Sequence, residues 1–301
     1  EFIKALAENE KVNINVDNEQ AKQDLEKELE KIDCNMNNVC FHLFVTNDAW
    51  LRDNGPAFVV NGKEKAIVNW NFNAWGEKYK YELDNKIPQQ IADYLNVKMF
   101  SPNIIMEGGS VDFNGKGDVI TTKSCLLNKN RNSHLSQQEI EKKLCDNYGV
   151  DNVIWLSEGL KGDDTDGHID DMTRFVNEDT VITMVETDKN DDNYSILQDN
   201  LRLLKGARLK NGKQINIIEI QMPNKVEWKG QRLPASYANF YIANEKVIVP
   251  LYDKSKDEKA MRVLQDIFST RQVVGIDATY IIIGLGSFHC LSQQEPEVND
   301  K

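Results

Sequence analysis

The chain has 301 residues, a net charge of −12, 40% hydrophobic and 28% charged side chains, the balance of a chain that folds around a core rather than staying disordered. No stretch approaches the ~18 apolar residues of a membrane helix, and so acidic a chain offers no basic face to nucleic acid. Its acidity instead favours encounter with a cationic ligand.

The opening EFIKALAENEK (1–11) has no basic start, apolar core or cleavage site, so it is not a signal peptide. It reads as an amphipathic helix entered partway, and a further segment is expected upstream. Cys34, Cys40, Cys125, Cys145 and Cys290 are odd in number and form no C-x-x-C pair. That usage excludes a disulfide framework and suits a cytoplasmic protein.

Hydrophobic periodicity and turn signals then predict a helix over 19–32 and a strand over 40–46. A hairpin follows over 57–70, turning at Asn61-Gly62, a dipeptide that tolerates positive φ. Next come a helix over 87–95 and a second hairpin over 110–122, turning at Asn114-Gly115. Ser136 and Glu139 form the capping box of a helix that reaches Tyr148 and stops at Gly149. Strands follow over 153–156 and 180–186, a helix over 194–205, an Asn211-Gly212 turn and a strand over 215–220. The chain closes with strands over 239–243 and 246–250, a helix over 256–268 and an apolar strand over 280–283. No linker divides it, so 1–301 reads as a single domain. One helix per two or three strands is the beat of a small α/β unit repeated in a cycle.

Four histidines are present. His42 lies in the strand-like FHLFV and reads as a core or sheet-face residue; His134 follows a polar loop and reads as a surface or cap residue. His168 differs because KGDDTDGHIDD surrounds it with Asp163, Asp164, Asp166, Asp170 and Asp171, and carboxylates beside an imidazole raise its pKa. If 168–170 is extended, His168 and Asp170 share a face. An EF-hand loop with Gly167 at its sixth position would need an acid at 162 and Glu at 173; Gly162 and Thr173 stand there. No second His or Cys lies at zinc spacing, so no metal is expected, and a solvated acidic turn is the plain alternative.

Cys290 ends GLGSFHC, where Gly284 and Gly286 imply backbone that turns tightly and comes close to a ligand. Cysteine is commonly a small core residue; a nucleophile needs an imidazole near it in space. His289 should face away on an extended chain, which favours His168. NDAWLRDNGP places Asp48, Trp50, Arg52 and Asp53 together, an aromatic beside acids that suits a delocalised cation. MEGGSVDF adds Glu107 ahead of a double glycine, although single loop acids are mostly solvated.

Together these segments resemble the agmatine deiminase and bacterial peptidylarginine deiminase family over nearly the whole chain. The resemblance rests on WLRDNGP (50–56), NWNFNAWG (69–76), EGGS (107–110), CLLNKNRN (125–132), DDTDGHID (163–170), LPASYANFYIAN (233–244) and GLGSFHCLSQQEP (284–296). It implies a five-bladed α/β propeller of pseudo-repeated ββαβ units around one central site. It also implies a Cys290 nucleophile, His168 as acid/base, Asp53 and Asp170 gripping a guanidinium, and Glu107 as a further site acid. Trp50, Trp75, Asp164 and Gly286 are expected at the substrate rim, and neither metal nor organic cofactor is expected.

Two departures accompany the resemblance: a Trp- and Pro-rich opening segment of the family is not seen here, and the family's GGGNIHC reads GLGSFHC. Related bacterial peptidylarginine deiminases carry arginines where this chain has Asn73-Ala74-Trp75-Gly76, which favours agmatine over arginine or peptidylarginine. Arg52 is expected in a structural pair with Asp48 and Asp53. An amidinotransferase and a catalytically idle guanidinium-binding module are the competing readings. The expected partner is a small cationic guanidine, with a homo-oligomer left open.

Overall fold

A computed structural model describes residues 1–298. A helix, Phe2–Ala7, precedes two parallel strands, β1 (Val12–Asn15) and β2 (Val39–His42), joined through the helix Glu19–Lys31. Four three-stranded sheets follow, each built to one plan. In the first, β3 (Ala57–Val60) and β4 (Lys65–Val68) form an antiparallel hairpin. The helix Ile87–Leu95 then returns the chain so that β5 (Lys98–Phe100) pairs parallel to β4. The second sheet uses β6 (Val111–Phe113), β7 (Asp118–Thr122), the helix Gln137–Tyr148 and β8 (Asn152–Leu156) in the same way. The third uses β9 (Thr173–Phe175), β10 (Thr180–Val185), the helix Tyr194–Gly206 and β11 (Asn216–Gln221). After a small hairpin of β12 (Glu227–Trp228) and β13 (Gln231–Arg232), the fourth uses β14 (Tyr241–Ile242), β15 (Lys246–Leu251), the helix Lys254–Ile267 and β16 (Gln272–Asp277).

Local chemistry explains this plan. Tight hairpins form because Gly62 and Gly115 supply φ of +89° and +68°, and a parallel return strand then requires a crossover, here always a helix. Ser136 accepts from the Glu139 amide while the Glu139 carboxylate accepts from Ser136, and Gly149 closes that helix at φ +67°. Ile140 and Leu144, one helical turn apart, are buried, a burial worth roughly 1.5–3 kcal/mol each. Every residue of β10, TVITMV, is buried, as a strand covered on both faces must be. The helix Tyr194–Gly206 packs on β10 of its own sheet and β8 of the preceding one, and Lys254–Ile267 packs on β15, β16 and the preceding β11. These two helices therefore each fasten their unit to the preceding one. Among the described residues no helix is long and apolar enough to cross a membrane.

Several sequence expectations are corrected. The strand expected over 40–46 ends at His42, and that over 239–243 shrinks to Tyr241–Ile242. Residues 280–283 are not a strand but part of a 3-10 turn, Ile281–Gly284. Asp277 accepts from the Thr279 amide at 2.9 Å and the Ile282 amide bonds the Ala278 carbonyl at 2.9 Å, so local capping overrides the β-branched run. Strands β1, β5, β9 and β16 were not expected; three are only three or four residues long, too short for alternation to register.

Candidate active site

The first strands of the four hairpin sheets, β3, β6, β9 and β14, line a cavity of about 530 Å³ that borders Asp53 and His289 but is not lined by Cys290, His168, Asp170 or Glu107. The chemistry-bearing side chains lie just upstream of those strands. Asp53 stands in the turn of helix Leu51–Asn54 before β3, and Glu107 immediately before the 3-10 turn Gly108–Ser110 that leads into β6. His168 and Asp170 belong to the approach to β9, where Ile169–Asp171 is a 3-10 turn. Asn239 precedes β14, and Cys290 follows the 3-10 turn after β16. Repetition of one unit thus brings the segment before each first strand to one place, and the segment after β16 adds Cys290.

Three of these groups gather around the bare Cα of Gly109. A methyl group added there would meet His168 Nδ1 at 2.6 Å, Asp53 Oδ1 at 2.8 Å and Asp170 Oδ2 at 3.1 Å. Glycine is demanded here by close approach, not by backbone conformation. Asp53 is oriented on both oxygens: Trp75 Nε1 donates to Oδ2 at 3.0 Å and the Gly109 amide to Oδ1 at 2.9 Å. Trp75, expected at the rim, is therefore also the prop that fixes Asp53. His168 Nδ1 lies 3.6 Å from Asp53 Oδ1.

Cys290 Sγ lies 3.7 Å from Asp170 Oδ2 and accepts from Asn239 Nδ2 at 3.0 Å. Asn239 also donates to Asp171 Oδ1 at 2.9 Å, and its Oδ1 accepts from the backbone amides of His289 and Cys290 at 3.0 and 3.3 Å. It locks the cysteine-bearing loop to the acidic turn. His289, expected to face away on an extended chain, instead places Nδ1 2.6 Å from Asp170 Oδ2, the oxygen that also lies 3.7 Å from Cys290 Sγ. Asp170 Oδ1 has no partner among the described residues, leaving an acceptor for an incoming N–H. Gly286 admits the Trp50 ring, since a Cβ there would meet Trp50 at 2.5 Å and Cys290 Cβ at 3.0 Å.

Glu107 is fully buried between Arg131, whose Nε donates to Oε1 at 2.6 Å, and the Cys125 thiol, 3.9 Å from Oε2. Arg131 spends its remaining donors on Asp166 at 2.9 Å, Asn130 at 2.7 Å and the Thr165 carbonyl at 3.1 Å. One guanidinium thus ties Glu107 to the loop that carries His168. Asp163 fixes the other end of that loop by accepting from the His168 amide at 3.0 Å.

Burial governs the electrostatics. It raises Asp53 from the ordinary 3.8 to about 6, against the hydrogen bonds from Trp75 and Gly109 and the charges of Arg52 and Arg131. Asp170 is pushed well up by burial and then by Asp53. Burial, reinforced by Asp170, Asp171 and Asp53, holds the Cys290 thiol well above its usual range. His168 is lowered, not raised as its acidic sequence neighbours suggest, because desolvation outweighs Glu107 and Asp163. Without a ligand the centre therefore holds a neutral thiol and a neutral imidazole.

Three further expectations need correction. The His168–Asp170 stretch is a 3-10 turn entered from an extended His168, so the two are not same-face neighbours of a strand; the fold, not alternation, brings them together. Arg52 makes no pair with Asp48 or Asp53: its Nε donates to the His289 carbonyl at 3.3 Å and Nη1 to Gln294 at 2.7 Å. Asp164 is not a free acid, since Tyr79 donates to it at 2.7 Å and Lys78 lies 3.4 Å away. Asn239, Arg131 and Cys125 were not expected as neighbours of the site, although LPASYANFYIAN and CLLNKNRN contain them. Nothing local marks them, because each acts on a residue distant in sequence.

The profile of Porphyromonas-type peptidyl-arginine deiminases matches residues 1–296. The chain belongs to that family. Its relatives within it include an agmatine deiminase of Ectopseudomonas mendocina, 37% identical over 276 residues, covering 83% of this chain and 75% of that protein. Solved structures with the same fold include the agmatine deiminase of Enterococcus faecalis, at TM-score 0.92 and 31% identity over 99% of this chain and 86% of that one. The C315S agmatine deiminase of C. jejuni with substrate bound superposes at TM-score 0.88, with 34% identity over 97% of this chain and 84% of that one. This peptidyl-arginine deiminase family member thus keeps the fold of those enzymes around a thiol, an imidazole and a ring of carboxylates.

Proposed function

We propose that this chain is a hydrolase of agmatine, releasing ammonia and leaving N-carbamoylputrescine, with Cys290 as nucleophile. One observation carries the reading: Asp170, Asp53 and His168 converge, buried, around Gly109, with Cys290 Sγ 3.7 Å from Asp170 Oδ2. The repeated units are read as blades of a five-bladed α/β propeller, with β1 and β2 belonging to the fifth, and the protein as a cytoplasmic enzyme.

A guanidinium carbon is a weak electrophile, so the site must hold it in plane and carry the protons. Asp53 and Asp170 accept its N–H groups, and the cation supplies the positive charge that keeps both carboxylates ionised. The same charge favours the Cys290 thiolate, which burial alone disfavours. Sulfur then forms a bond to the central carbon. The proton lost by the thiol reaches the neutral His168, which passes it to the departing nitrogen, and the C–N bond breaks to give ammonia and an S-alkylthiouronium cation. Water, deprotonated by His168, adds to that carbon; the C–S bond breaks, the thiol is re-formed and one proton is released to solvent. Arg131 ties Glu107 to the loop that carries His168, and Asp163 fixes the His168 backbone amide.

Agmatine is favoured over arginine because an α-carboxylate would need a free cation at the rim. Lys78 is engaged with Asp164 and Asp166, and Arg131 with Glu107 and Asp166; Arg52 is held by the His289 carbonyl and Gln294, with only its buried Nη2 unpartnered among the described residues. A ureido-product assay over agmatine, arginine, blocked arginine peptides and methylated arginines tests this. A higher kcat/KM for arginine or its peptides would overturn the substrate while leaving the chemistry. Ammonia release without added amine separates hydrolysis from amidino transfer. Mass spectrometry of acid-quenched enzyme should show a covalent adduct that Cys290→Ala lacks although it still binds agmatine; full activity in that variant would end the thiol mechanism.

A further inference from the structure

Glu107, Cys125 and His168 each offer one donor atom, oxygen, sulfur and nitrogen, and all three atoms lie within 4.8 Å of one another. All three residues are fully buried. Each also has unused coordinating capacity facing the others. Arg131 takes Glu107 Oε1, leaving Oε2 to face Cys125 Sγ at 3.9 Å. Neither ring nitrogen of His168 has a hydrogen-bond partner among the described residues, an orphaned buried imidazole of the kind that points to a ligand. Cys125 is fixed by the turn Lys123–Leu126, whose capping Thr122 accepts from the Cys125 amide at 3.3 Å and donates to the Gly167 carbonyl at 2.5 Å. The sulfur is thereby tied to the backbone next to His168.

We propose that Glu107, Cys125 and His168 form an inhibitory binding site for zinc. Zinc takes thiolate, imidazole and carboxylate donors at about 2.0–2.3 Å in a tetrahedron, which sets the donors roughly 3.3–3.8 Å apart, so atoms within 4.8 Å of one another need to close in by up to about 1–1.5 Å. Thiolate and carboxylate together match the charge of the ion, and three protein ligands leave one position for water. On binding, the Cys125 S–H bond breaks, an S–Zn bond forms and the proton leaves to solvent. The spacing search in the sequence could not find this set, because its members come from three separate turns.

A second group, Asp170, Asp171 and Cys290, is equally compact. Its facing atoms are already used: Asn239 Nδ2 contacts Cys290 Sγ, Asp171 Oδ1 and Asp170 Oδ2, and His289 also holds Asp170 Oδ2. The Cys125 group is therefore the better host. Inhibition follows because the metal takes the imidazole lone pair that moves protons; that consequence rests on the proposed role of His168, whereas binding does not.

The test is titration of the purified, chelator-washed protein with zinc chloride by calorimetry, beside agmatine turnover at each zinc concentration. One ion per chain is expected, bound equally well by Cys290→Ser and at least tenfold more weakly by both Cys125→Ser and Cys125→Ala. Cobalt(II) should give a thiolate charge-transfer band in wild type and in Cys290→Ser, a readout that needs no Cys125 variant to fold. Turnover should fall as the site fills and return with EDTA, with Cys125→Ser needing at least tenfold more zinc. Absence of binding, or binding lost in Cys290→Ser and kept without Cys125, overturns the site. Cys125-dependent binding with unchanged agmatine turnover overturns the inhibition; binding in a protein that never turns over agmatine leaves the site standing and removes the functional reading instead.

Discussion

Asp53 is a carboxylate held in place for a cation that is absent from the free enzyme, and Asp53→Asn measures what that costs. Its pKa is raised from the ordinary 3.8 to about 6, a difference of about two units at 1.36 kcal/mol each, so ionising it costs roughly 3 kcal/mol of folding stability well above both values. The direction follows from linkage: the folded state binds the proton more tightly than the unfolded chain, so stability is fully present below the unfolded pKa and is lost as pH rises through about 6. Asparagine removes the titration but leaves one carbonyl oxygen for two donors, Trp75 Nε1 and the Gly109 amide, a penalty of about 1–3 kcal/mol that does not vary with pH. The stability difference between wild type and Asp53→Asn should therefore shift by about 1.5 kcal/mol between about pH 5 and about pH 8, with the variant gaining relative to wild type as pH rises. Urea denaturation without substrate, repeated across that range, reads the slope and cancels the constant term. A flat or inverted difference would refute the account of Asp53 as a buried, reluctantly ionised carboxylate.

Gly109→Ala should fold but lose agmatine turnover by at least about tenfold, because its methyl enters the space between His168, Asp53 and Asp170; steady-state kinetics with circular dichroism checks this, and normal kcat would contradict the convergence. His168→Asn should lower kcat by about 10²–10⁴-fold while agmatine still binds to the Cys290→Ala, His168→Asn double variant in calorimetry. Arg131→Gln leaves the buried Glu107 without its cation and should destabilise the fold by about 3–5 kcal/mol in denaturant titrations; a change under about 1 kcal/mol would mean that Glu107 is protonated in the fold.

Much of the architecture was legible in the sequence because its signals are local. Ser136, Glu139 and Gly149 write the start and end of a helix within one segment, and Asn61-Gly62 and Asn114-Gly115 mark hairpins through the φ they permit. The candidate residues Cys290, His168, Asp170, Asp53 and Glu107 were nameable from loop composition and from motifs in family order. Their partnership was not, since Asp53 and Cys290 lie 237 positions apart; hairpin units deliver Asp53, Glu107 and Asp170 from their upstream turns, and the segment after β16 brings Cys290 beside Asp170. Neighbouring aspartates in sequence suggested a raised His168, whereas burial of its ring lowers it: charge proximity is visible in a string of residues, but desolvation depends on what the rest of the chain places around them. Asn239 and Arg131 make the same point, for an amide or a guanidinium acquires a role only when packing supplies its partners. Sequence determined which chemistry this protein could perform; tertiary structure decided which groups stand close enough, and dry enough, to perform it.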